Sequence, residues 1–99
     1  MDAITEMKAT GIVQKIFADD LDGNKHQRFT LRLKNNKTVL VIHNIDLAPR
    51  IANLHVGDKV EFMGVYQWNK LGGMVHWTHH DPHGKHPSGW IKHHEKLYQ

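Results

Sequence analysis

Residues 26–33 read HQRFTLRL, and the alternation is strict. Phe29, Leu31 and Leu33 share one side, and His26, Arg28, Thr30 and Arg32 the other. A repeat of two is a strand with one face packed and one facing water or a ligand. A chain built round such a segment must bury the Phe-Leu-Leu face against more sheet, which points to an all-β fold.

The neighbouring segments supply that sheet. Residues 10–18 (TGIVQKIFA), 38–43 (TVLVIH), 59–68 (KVEFMGVYQW) and 74–78 (MVHWT) are rich in β-branched and aromatic residues and read as four more strands. DDLDGNK at 19–25, NNK at 35–37, VGD at 56–58 and NKLGG at 69–73 supply the turns. Within the fourth strand Gly64 marks a bulge or bend. Residues 46–54 (DLAPRIANL) are expected to form a short helix between strands three and four, with Asp46 as its N-cap. Five strands with that helix predict a small OB-like barrel, the oligonucleotide/oligosaccharide-binding type. Residues 1–9 are expected to be a lead-in and 83–99 a loop and C-terminal extension, in one domain spanning 1–99.

Composition narrows the chemistry. With no cysteine, disulfides and thiolate metal sites are excluded. The net charge of +3 is mild, well short of a strongly basic nucleic-acid binder. No apolar run reaches the length of a membrane span, and MDAITEMKATG lacks the pattern of a signal peptide. The chain as it stands is therefore expected in the cytoplasm, or in the periplasm if a leader has been removed. Ten histidines in 99 residues are the unusual feature, and seven lie between His76 and His94.

The strings HQRF (26–29), HNIDLAPRI (43–51), GDKVEFMGVY (57–66), GGMVHWTHHDP (72–82) and GW (89–90) resemble a family of small bacterial proteins, domain-of-unknown-function family 3465. The resemblance runs from Gly11 to Gln99. It implies a compact β fold in which HQRF, HNID and HWTHHDP form one signature. It also implies export for many relatives, and the family name carries no established activity.

Three readings of function follow from the residues. The first is a binding module for single-stranded nucleic acid or another anionic ligand, with His26, Arg28, His43, Asn44, His76 and Trp77 on its face. Arg28 and Arg32 would meet phosphates, and Tyr66, Trp68, Trp77 or Trp90 would stack on bases. For Trp77 the alternation with Val75 favours the core instead.

The second reading is a metal-dependent or histidine-based phosphodiester hydrolase. His43, His76 and His80 would be its acid and base, Asp81 or Asp46 an orienting partner, and Arg28 the stabiliser of developing charge. His76, His79, His80 and Asp81, with His83 and His86 nearby, would hold a divalent transition metal such as zinc. The third reading is a structural barrel that binds a partner or forms a homodimer through strand edges, with histidines as a pH-sensitive network. His86, His93 and His94 are expected to be solvated and to stand outside any site.

Overall fold

A computed structural model describes residues 4–99 of the chain. It is all-β, with seven strands: β1 (Thr5–Ile16), β2 (His26–Leu33), β3 (Thr38–Asn44), β4 (Lys59–Gln67), β5 (Met74–His76), β6 (Trp90–His93) and β7 (Lys96–Tyr98). The sheet runs β1-β2-β3-β5-β4-β6-β7, and β1 also pairs with β4. The first five strands thus close into a barrel, and β6 and β7 extend the wall from β4. Only β3 and β5 pair in parallel.

Closure depends on β1. Its first half pairs with β4, from Thr5↔Tyr66 to Ile12↔Lys59, and its second half pairs with β2, from Gly11↔Leu33 to Ile16↔Phe29. A register shift between Val13 and Lys15 bends the strand where it changes partner. The expected lead-in is therefore strand from Thr5 onward; residues 1–3 lie outside the described residues. Gly64 is not the bulge. The β1–β4 register runs through Met7↔Gly64 without a shift. What Gly64 provides is closeness, since a Cβ there would stand 2.6 Å from Val75 Cγ1 and 2.8 Å from the His76 carbonyl.

The inward faces meet in one core of Val13, Phe29, Leu31, Val39, Val41, Ile51, Val60, Phe62, Val75, Ile91 and Tyr98. The alternation of HQRFTLRL holds: Phe29 and Leu31 are fully buried and His26, Arg28 and Thr30 partly open. At about 25 cal/mol per Å2 of apolar surface, each large side chain in this core contributes roughly 1.5–3 kcal/mol.

The expected helix at 46–54 does not form. Asn44 is the capping residue, its Oδ1 accepting from the backbone N–H of Asp46 (2.9 Å) and Leu47 (3.3 Å). One turn follows, closed by Ala48 N–H to Asn44 C=O at 3.2 Å, and Pro49 removes the donor that a second turn needs. Asp46 instead accepts from Lys25 N–H at 2.8 Å. The segment is held from below by Gln27, which is 1% exposed. Its Oε1 accepts from Ile51 N–H at 2.8 Å and its amide donates to Ile51 C=O at 3.1 Å. A side chain thereby does for this stretch what helical hydrogen bonds would have done.

The C-terminal stretch is also more ordered than its loop-like composition predicts. Its last part is the β6–β7 hairpin, which turns at His94 and Glu95 with φ of 50° and 65°.

Candidate functional site

Two departures from regular strand build the site. β5 ends at His76, not at Thr78, because Trp77 takes a left-handed conformation (φ 54°) that no extended strand continues through. That kink turns the Trp77 ring out of the core, against the expectation from alternation, and leaves it half-buried. The loop from Trp77 to Gly89 then folds back on the barrel. Gly89 N–H donates to His79 C=O at 2.9 Å, and a Cβ at Gly89 would collide with the carbonyl oxygens of Trp77 and Met63.

Asp81 organises this loop. Its carboxylate accepts from the backbone N–H of His83 (2.9 Å) and His86 (2.9 Å), and from that of Lys85. These donors, His83 first, hold its pKa down to about 2. The carboxylate is consumed by the loop's own backbone. Its Oδ2 also stands 3.8 Å from His86 Nε2, too far for a hydrogen bond.

The loop carries His86 back onto the barrel face. Its ring stacks on Trp77 with centroids 4.2 Å apart and 13° between planes, and meets His79 edge-on at 5.2 Å. His86 Nδ1 donates to Pro87 C=O at 2.8 Å, and His79 Nδ1 to His80 C=O at 3.0 Å. Each carbonyl can only accept, so both rings carry their proton on Nδ1 in the neutral form.

Between these rings and strands β2 and β3 lies a recess of about 270 Å3. Its polar wall is Asn24, His26, Asn44, His76, His79 and His86, with Trp77 beside them and Ile42 and Leu47 as apolar lining. Among the described residues no carboxylate lines it. His26 and Asn44 are cross-strand partners, and His76 arrives from β5, which pairs with β3. Among the described residues neither His26 nor His76 makes a side-chain hydrogen bond within the chain. Burial, and then the nearby His86, lowers the His76 pKa.

His43 sits behind the recess and has no exposed surface. Its Nε2 faces only the Pro49 carbonyl (3.0 Å) and must donate to it, so Nδ1 accepts from the Thr78 hydroxyl at 2.8 Å. Burial, followed by the neighbouring His79 and His26, lowers its pKa to about 4. His43 is a neutral framework group with both nitrogens occupied.

Of the residues that the sequence nominated, His26, Asn44, His76, Trp77 and His79 meet at the recess. Arg28 does not reach it. Its guanidinium donates to Ala18 C=O at 3.0 Å and lies over the Phe17 ring at 5.7 Å, leaving a buried Nε without a partner. Tyr66 donates to Gly72 C=O, and Trp90 lies under Lys8, whereas Trp68 is 71% exposed. His80 is exposed and bonds to Ser88 through Nδ1 (3.1 Å). His76, His79, His80 and Asp81 do not converge. Among the described residues, the three ligand groups drawn together are Asp58, His93 and His94. Sequence reasoning set His86 aside with the tail, and only the Trp77 kink, invisible to periodicity, puts it in the recess.

Comparison with known proteins yields one relation. A family model described as "Protein of unknown function (DUF3465)" matches residues 2–99. No curated protein and no solved structure matches the chain.

Proposed function

The chain belongs to this family, DUF3465, and from its geometry we propose a binding module of the OB type, whose β2–β3–β5 face takes single-stranded nucleic acid or another anionic ligand. The observation that carries this reading is the recess itself. Among the described residues, His26 and His76 are uncommitted there, beside the Trp77 ring, and no carboxylate stands in the wall.

The barrel supports the reading. The order β1-β2-β3-β5-β4, closed on β1, is that of OB barrels, whose ligands lie on the face of strands two and three between flanking loops. Segment 45–58 departs from that pattern in having turns where a helix is usual. A second, shallower groove lined by Thr5, Gln67 and Trp68 shares His76 and Trp77 with the recess. The two form one path ending at the open Trp68 ring.

Fluorescence anisotropy with short mixed oligonucleotides at low salt tests this. Binding that weakens with added salt and with His76→Ala supports it. No binding at low salt, or binding indifferent to His76→Ala, overturns it.

A phosphodiesterase reading draws on the same two free imidazoles as an acid–base pair. Against it, among the described residues no carboxylate fixes either ring, and Arg28 faces away. Incubation of the protein with oligonucleotides and divalent ions separates the two readings.

A further inference from the structure

The β6–β7 hairpin brings two adjacent histidines to one side of the sheet. In an extended strand, consecutive side chains point to opposite faces. Here the left-handed turn at His94 swings its ring back over His93, and the rings stack with centroids 3.8 Å apart. Two-residue hairpins with both φ positive favour Asn-Gly or Asp-Gly. This one spends both positions on His94 and Glu95, which cost conformational energy there.

Both imidazoles face the same carboxylate. His93 Nε2 lies 2.8 Å from Asp58 Oδ2, and His94 Nε2 lies 3.8 Å from the same oxygen. The register Val60↔His93 in the β4–β6 pairing brings the hairpin beside Asp58, which stands just before β4. His93 is 2% exposed, while His94 opens to water. Asp58 Oδ2 also accepts from His55 N–H at 2.9 Å, which fixes the carboxylate from behind. The surrounding groove is lined by Lys59, Glu61, Lys92 and Glu95, whose charges cancel and leave that of Asp58.

We propose that Asp58, His93 and His94 form a binding site for a divalent transition metal ion. Ligands at about 2.0–2.2 Å from one ion stand roughly 3.3–3.5 Å apart in a tetrahedron. The two observed separations lie on either side of that value. Closing the set needs each Nε2 to move by about half an ångström and the exposed His94 ring to rotate out of its stack on His93, because an imidazole binds a metal in its own plane. Two nitrogen donors select zinc, cobalt or nickel over magnesium or calcium, which take oxygen ligands. As the metal–nitrogen bond forms, the proton now between His93 Nε2 and Asp58 leaves that nitrogen, for Nδ1 if the ring is neutral or for water if it is charged. Water completes the coordination on the open side. The site shares no residue with the recess on β2, β3 and β5.

Calorimetric titration of the full chain with Zn2+ at pH 7.5, repeated at pH 5.5, tests the proposal. The expected result is one equivalent bound, more weakly at the lower pH. His94→Ala, which alters an exposed turn and not the core, should weaken binding about tenfold or more, as should Asp58→Asn. His76→Ala should leave it unchanged. Visible absorbance of the Co2+ form, strong for four-coordination, should disappear in His94→Ala. No saturable binding below about 100 μM, unchanged affinity in His94→Ala when circular dichroism shows that variant folded, or loss of binding in His76→Ala overturns the assignment.

Discussion

The hydroxyl of Thr78 donates to Nδ1 of His43 across 2.8 Å, and neither side chain has any surface in contact with water. This bond ties the first residue after the Trp77 kink to the end of β3, so the recess wall and the barrel core share one anchor. Replacing Thr78 by Val keeps the shape and removes the donor. The variant should lose about 1–3 kcal/mol of stability, the usual cost of orphaning a buried acceptor. Urea melts of the two proteins check it.

Stability should fall with pH in a defined window. The unfolded chain binds a proton at His43 near 6.5, and the folded chain only near 4. A lowered histidine pKa favours unfolding once acid is added, so this contribution is intact above 6.5 and is lost as pH drops toward 4. Its full size is about 3 kcal/mol, and His76, lowered in the same sense, adds to it. Urea midpoints from pH 7.5 to 4.5 should decline, and the His43 ring signals in NMR should stay those of a neutral imidazole down to about pH 5. A flat profile would count against the buried, neutral assignment.

Gln27→Ala should cost about 2–4 kcal/mol, because both backbone groups of Ile51 lose their partner in a buried setting. For a chain of this size that is a fall in Tm of roughly 10–25 °C. Hydrogen exchange should quicken first in residues 49–54, which lean on that side chain.

Asp81→Ala should loosen the loop and spare the barrel. The amides of His83, Lys85 and His86 would lose their acceptor, and their exchange protection with it. Oligonucleotide binding should weaken along with them, since His86 would no longer be held on Trp77. Protection unchanged at those three amides would contradict the role given to Asp81.

Within the recess the expected ranking is specific. Trp77→Ala should weaken oligonucleotide binding roughly 5–150-fold, the range of one lost base stack. Arg28→Ala should change it less than about threefold, under 1 kcal/mol, because its guanidinium is turned to Ala18 and Phe17. Anisotropy titrations of the two variants in one buffer decide the order.

Much of the barrel was legible because its signal is local. HQRFTLRL announces β2 at its observed bounds, and TVLVIH and KVEFMGVYQW fall within one residue of β3 and β4. The helix was misread because its competitors are not local. Asn44 outbids Asp46 as the cap, and Gln27, 24 residues away, satisfies Ile51. β6 and β7 escaped because strands of four and three residues carry too little alternation to stand out beside prolines and glycines. At the site, His26, Asn44 and His76 were readable from strand ends. His86 and the Asp58–His93–His94 set were not, since both depend on left-handed residues, at Trp77 and at His94 and Glu95, that reverse the direction in which side chains are expected to point.

A strand claimed by two partners also sets a schedule. β1 finds β2 within a few residues, but its other edge must wait for Lys59 to Tyr66. Until then the nascent barrel is an open sheet with a bare edge. Closing a loop of more than forty residues before any contact rewards it is the slow step of such topologies. The loop that carries His86 and the hairpin that carries His94 emerge later still. Both candidate sites are thus finished only after the barrel can shut, and a half-made chain cannot capture a ligand prematurely.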